Sequence, residues 1–212
     1  MTDTEQEQQL YYYPNKMARI ILLSLEDVIG RNGISAVLNF ANLHHLIDNY
    51  PPNNFDRNFR FNDLGSLHCA LDTMYGQRAG RGLATRTGRA YFNHGLREFE
   101  SVLGISNLTF RLLPLKMKIK VSLEAFADLY NNHTDQVVRL EEHPDMFCWH
   151  TERCPVCWGR ETDSPCCHLA VGMFQESLFW VSGGKHFMVD EVSCIALGDP
   201  TCTIHISRQP LD

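Results

Sequence analysis

Seven of the eight cysteines fall after residue 147, and this clustering constrains the chain more than any other feature. Cys194 is followed by Cys202 eight positions on, with "ALGDPT" between them reading as a turn. Upstream, "RCPVCWGRETDSPCCHLAVG" holds a Cys-x-x-Cys pair, Cys154 and Cys157, and an adjacent pair, Cys166 and Cys167. Cys148 completes the group. Disulfides need an oxidising setting, and the N-terminal "MTDTEQEQQLYYYPNK" does not resemble a secretory leader. The clustering therefore points to metal or redox chemistry, against the competing reading of reduced, packed thiols.

On a hairpin with an odd loop, Cys194 and Cys202 lie opposite each other and point to one face, so two thiolates can share an ion such as Zn²⁺. Glu191 stands three before Cys194, an odd step that sends it to the other face of a straight strand. It joins only through a bulge or bend. Spacing leaves open which upstream thiols complete the set.

The chain of 212 residues suits one domain, with 44% hydrophobic residues to supply a core. Residues 1–14 read as a flexible tail and 15–208 as a single domain. Its helical part spans about 15–135 and its Cys-rich α/β part about 136–208. Apolar residues recur at helical spacing from Lys16 to Ile29, with Gly30 as a stop and a second helix reaching Pro51. Asp63 is a candidate cap for a third helix, and a long helix and one more follow. "QVVRLEEHPDMFCWHTE" reads as a hairpin, "CHLAVGMFQESLFWVSG" as a helix, and "HFMVDEVSCIAL" with "TCTIHIS" as strands. Helices, hairpin, helix, hairpin make an α+β fold with an antiparallel sheet.

The net charge of −6 argues against nucleic-acid binding, and no run approaches the ~18 apolar residues of a membrane span. The expected setting is cytoplasmic. Arg78, Arg81, Arg86 and Arg89 are candidates for ligand carboxylates or, more blandly, a solvated or dimer-facing helix. Phe174 and Trp180 are candidates for an apolar ligand box or for core. His94, His133 and His168 are candidate ligands to a tetrapyrrole metal or simple polar contacts. "MARIILLSL" and "ISAVLNFANL" offer more apolar face than a small sheet covers, which suggests a homodimer. No nucleophile triad, paired-carboxylate motif or P-loop stands out, so a binding protein is expected rather than an enzyme.

Cys167, Gly172, Glu191, Cys194, Ala196, Gly198, Asp199 and Cys202 together resemble the C-terminal pattern of the 4-vinyl reductase domain family. The longer cysteine-rich stretch is similar to stand-alone, cyanobacterial-type members from phototrophs. The resemblance implies a dimeric ligand-binding fold like that of trafficking-complex subunits. It implies structural Zn²⁺ on Cys167, Glu191, Cys194 and Cys202, leaving Cys148, Cys154, Cys157 and Cys166 as a second metal or redox group. It also implies a small hydrophobic ligand such as a chlorophyll-type tetrapyrrole. With that ligand come a role in pigment metabolism or photosystem assembly, photosystem assembly proteins as partners, and a place beside photosynthetic membranes. Chlorophyll vinyl reduction and an iron–sulfur or redox function are the alternatives.

Overall fold

The computed structural model describes residues 10–103 and 108–211. Strand β1 (Tyr12–Pro14) pairs antiparallel with β2 (Arg57–Arg60). The helices α1 (Asn15–Phe40), α2 (Phe61–Tyr75), α3 (Gln77–Leu103), α4 (Leu108–Arg111) and α5 (Leu115–His133) follow. The second half begins with the hairpin β3 (Val138–Glu142) and β4 (Met146–Thr151), then α6 (His168–Ser182), then β5 (Phe187–Ser193) and β6 (Cys202–Pro210). These four strands form one antiparallel sheet in the order β3-β4-β6-β5. The α+β class with an antiparallel sheet expected from the element order is the architecture found.

Several local expectations change. Residues 1–9 of the expected tail lie outside the described residues, but Tyr12–Pro14 is a strand. Tyr13 is buried, with its ring edge-on to Phe61. Gly30 is an exception: its non-helical backbone (φ 75°, ψ 165°), which glycine adopts without steric cost, interrupts α1 and separates two helical stretches, as the sequence indicated. The second helical stretch stops at Phe40, well before the prolines, and Asn42 and Asp48 take positive φ beyond it. Asp63 does not cap α2; it sits in the first turn and accepts hydrogen bonds from Arg60. Met17, Ile20, Ile21, Leu22, Leu25, Ile34, Val37 and Leu38 are all buried within one chain. Most of the apolar faces from which a dimer was inferred are therefore covered within one chain, Phe40 at 54% exposure being the chief exception, and the argument for a dimer is correspondingly weaker. Among the described residues no helix is long and apolar enough to cross a membrane.

Two glycines set the position of α6. A Cβ on Gly88 of α3 would lie 2.0 Å from the Leu169 carbonyl oxygen, and one on Gly172 of α6 would lie 2.0 Å from that of Thr85. The two helices therefore cross backbone to backbone. On its other side α6 meets the sheet, where Phe174 packs edge-on against Trp149 with ring centroids 4.8 Å apart. Gly183, in the left-handed region, ends α6, and the Gly184 N–H donates back to the Phe179 carbonyl. The result places Cys167, just before the first turn of α6, against the β5–β6 end of the sheet.

Candidate metal centre and adjoining cleft

Six thiols gather at that junction. Cys154 and Cys157 come from the turn after β4. Gly65 of α2 lets this turn approach closely, since a Cβ there would lie 2.1 Å from the Trp158 carbonyl oxygen. Tyr11 closes over Trp158, ring edge to face at 5.0 Å. Cys166 and Cys167 precede α6, Cys194 follows β5, and Cys202 opens β6. The Sγ–Sγ distances are 3.4 Å for Cys154–Cys167, 3.3 Å for Cys157–Cys202 and 3.8 Å for Cys166–Cys194. Cys167 lies 3.9 Å from Cys194 and 3.7 Å from Cys202, and Cys194 lies 3.9 Å from Cys202.

Glu191 reaches the same place by the device its spacing required. On β5 it pairs with Ile204, while Ser193 pairs with Thr203, so one extra residue bulges out between them. The bulge reverses the alternation and brings Glu191 and Cys194 to one side. Glu191 Oε2 accepts the Cys167 backbone N–H at 2.7 Å, and its Oε1 is buried with no hydrogen-bond partner. Burial, and then the neighbouring Cys194, push its carboxyl up to about 8. The turn after Cys194 is pinned by the Cys194 N–H donating to Asp199 at 2.8 Å and the Ile195 N–H donating to Cys202 Sγ at 3.3 Å.

Two four-membered ligand sets result, each with its atoms within 4.8 Å of one another: Cys154, Cys157, Cys167 and Cys202; and Cys167, Glu191, Cys194 and Cys202. In the bare cluster the charge is unevenly shared. Neighbouring thiols, Cys157 first, hydrogen-bond to Cys154 and Cys194 and lower both. Cys157, Cys167 and Cys202 are raised, chiefly by Cys154, and Cys166 is raised chiefly by Cys157. The expected division of the cysteines changes accordingly. Cys154 and Cys157 share a set with Cys167 and Cys202, and Cys166 abuts Cys194. Cys148, buried on β4, belongs to neither set among the described residues.

A cleft of about 390 Å³ opens over this cluster, lined by Arg78 and Arg81 of α3, His168 of α6, and Cys166 and Glu191. Asp72 and Asp190 also face it. Burial, then Arg81 and Arg160, lower His168 to about 4, so its imidazole is neutral there. Of the other arginines, Arg89 donates to Gln175 at 2.8 Å, and Arg86 is not part of the cleft lining. Asp72 and Arg160, joined at 2.6 Å, were not singled out in the sequence. They stand 88 positions apart and carry no local signal. His94 is tied to Asp27 at 2.7 Å, and His133 rests against Phe55 with centroids 5.2 Å apart.

The apolar interior is filled. Between α3, α5, α6 and the sheet lie two small spaces, about 30 and 20 Å³, lined by Tyr13, Tyr91, Phe92, Tyr130, Met173, Phe174 and others among the described residues. Phe174 is fully buried, whereas Trp180 is 38% exposed. The first is core, and the second lies near the surface beside Phe92, with ring centroids 6.3 Å apart.

No family model matches the chain. No curated protein matches it either. Solved structures do. An Fe(II) unliganded H-NOX protein from K. algicida is 11% identical, with 94% of this chain and 98% of that one covered and a TM-score of 0.57. An H-NOX protein from S. oneidensis in the Fe(II)NO state is 16% identical, with 92% and 99% covered and a TM-score of 0.51. A third, from work on heme distortion in the H-NOX family, is 13% identical, with 94% and 97% covered and a TM-score of 0.56. These likenesses overturn the assignment to the 4-vinyl reductase domain family. That assignment rested on a motif in residues 165–207, whereas the H-NOX likeness spans nearly the whole chain. The zinc cofactor implied by the resemblance is overturned with it, because the three solved structures named above are described with Fe(II) or heme.

A heme does not fit the interior found here. Ligand pockets hold roughly 300–1,000 Å³, at least tenfold more than either space, and no histidine lines those two spaces. The chain has the fold of H-NOX domains, with its interior packed by aromatic side chains and its reactive groups gathered instead at the α6–sheet junction.

Proposed function

We propose that the chain is a small-ligand-binding domain in which a thiol-bound metal forms the floor of the ligand cleft. Cys167, Glu191, Cys194 and Cys202 are its metal ligands in this reading. The observation that carries it is the cleft of about 390 Å³, with Arg78, Arg81 and His168 on its walls and Cys166 and Glu191 at its base. Its volume falls in the range of small-molecule sites. Two guanidinium groups in one cleft favour a carboxylate, which arginine binds through two parallel hydrogen bonds. A planar aromatic acid is the ligand class that suits this lining. A chlorophyll-type tetrapyrrole, and with it a role in pigment metabolism, is supported only as far as a carboxylate-bearing edge enters between the arginines, since the interior is closed to the ring.

Calorimetric titration tests this with three compounds: an aromatic monocarboxylic acid, its methyl ester, and a chlorophyllide-type pigment. The acid is expected to bind at least tenfold more tightly than the ester, and Arg81→Gln to abolish that preference. Equal affinity for acid and ester, or no binding of any of the three, overturns the reading.

A further inference from the structure

The six-thiol cluster contains more ligands than one ion can use. A tetrahedral ion with bonds of about 2.3 Å to sulfur sets its ligands about 3.8 Å apart. The Sγ–Sγ distances match that edge on the Cys194 side, at 3.7 to 3.9 Å, and come within about half an ångström of it on the Cys154 and Cys157 side, at 3.4 and 3.3 Å. Cys154 and Cys157 complete one tetrahedron, and Cys194 and Glu191 complete the other. The two figures share one edge, the 3.7 Å Cys167–Cys202 line.

We infer that the cluster is a dinuclear centre for thiophilic divalent cations, with Cys167 and Cys202 as bridging thiolates. One ion takes Cys154, Cys157 and the two bridges. The other takes Cys194, Glu191 and the same two bridges. The orphaned, buried Oε1 of Glu191 is the position the second ion needs, because a buried carboxylate oxygen without a partner is otherwise costly. Five thiolates and one carboxylate against two divalent ions leave a net charge of −2. The buried guanidinium of Arg160, which interacts with Cys166 and whose Nε has no hydrogen-bond partner, lies on the side where it offsets that charge. Cys166 is then a thiol beside the second ion, open to the cleft, and not a required ligand. Two ions also explain why the turn bearing Cys154 and Cys157 is pressed onto α2 at Gly65: it supplies half of the terminal ligands.

This inference rests on the metal reading above, and one experiment separates the two. The full chain, purified under reducing conditions and stripped of metal, is titrated with cadmium(II) alone and followed by native mass spectrometry and cadmium-113 NMR. Two ions per chain, with two resonances split by coupling through shared sulfur, are expected. One ion per chain overturns the dinuclear centre and leaves the single-metal reading standing. Two uncoupled resonances overturn the bridging roles. No bound cadmium overturns both readings. Cys154→Ser should lower the count from two ions to one, whereas a lone site on Cys167, Glu191, Cys194 and Cys202 gives one ion in both proteins. Cys166→Ser should keep two. The wild-type count decides the matter even if a serine variant fails to fold.

Discussion

The sulfur atoms of Cys167 and Cys202 lie 3.7 Å apart, and each belongs to both groups of converging ligand atoms. One comes from the residue before α6 and the other from the first residue of β6, so whatever joins them fastens a helix to a sheet.

Metal removal should therefore loosen the whole second half of the domain. A ligand bound only by the folded state, at a thousandfold excess over its Kd, adds about 4 kcal/mol. For a domain of this size that corresponds to roughly 8–16 °C in Tm. Thermal unfolding of metal-loaded and chelator-stripped protein measures it. Unchanged Tm with demonstrated metal loss would mean that the centre has no structural role.

Gly172→Ala should be costly although it adds one methyl group. The new Cβ meets the Thr85 carbonyl oxygen, which is backbone and cannot swing aside. Overpacking of this kind costs about 1–3 kcal/mol and occasionally more. Urea unfolding should show the same penalty for Gly88→Ala, and Gly82→Ala, where a Cβ meets nothing within 4 Å, serves as the control.

Phe174→Ala and Trp180→Ala should separate core from surface. Phe174 is fully buried against Trp149, so its truncation should cost about 3–5 kcal/mol. Trp180, partly exposed, should lose less than half as much. A cost below about 1 kcal/mol for Phe174→Ala in chemical denaturation would show that its ring faces open space.

His68 should make the protein sensitive to acid. It is buried on α2 with Nε2 unpaired, and burial, then Arg160 and His168, lower it to about 3 from 6.5. The unfolded chain takes up a proton below about pH 6.5 that the native state refuses, so this contribution is present above pH 6.5 and is lost as pH falls towards 3. The full shift corresponds to at most about 4–5 kcal/mol. Urea midpoints at pH 7 and pH 4 should converge in His68→Leu relative to wild type. An unaltered difference would show that other groups carry the acid sensitivity.

The second half of the fold was more legible in the sequence than the first. The β3–β4 hairpin, α6 with its Gly183 stop, and the strand pair around the Gly198 turn each carried a local signal of periodicity or turn chemistry. The region after Phe40 was not legible, because Asn42 and Asp48 adopt positive φ where helical patterning continued. The β1–β2 pair joins residues more than forty positions apart and has no local mark. In the cluster, the side of β5 that Glu191 faces depended on a bulge that spacing could only allow. The meeting of Cys154 with Cys167 depended on the contact of Trp158 with Gly65, which is remote in the chain. The family resemblance failed for a related reason: it was carried by eight residues near one end, while the architecture is a property of the whole chain.

The glycine crossing of α3 and α6 has a mechanical consequence. Cys167 stands five residues before Gly172, where the helices meet without an intervening side chain. Rotamer changes, which elsewhere absorb small displacements, are not available at that point. A shift of α6 caused by losing or gaining a ligand at its N-terminal end must be passed to α3 as rigid-body motion. The early turns of α3 carry Arg78 and Arg81, so such a motion would move both guanidinium groups together relative to His168 and Glu191 on the rest of the cleft lining.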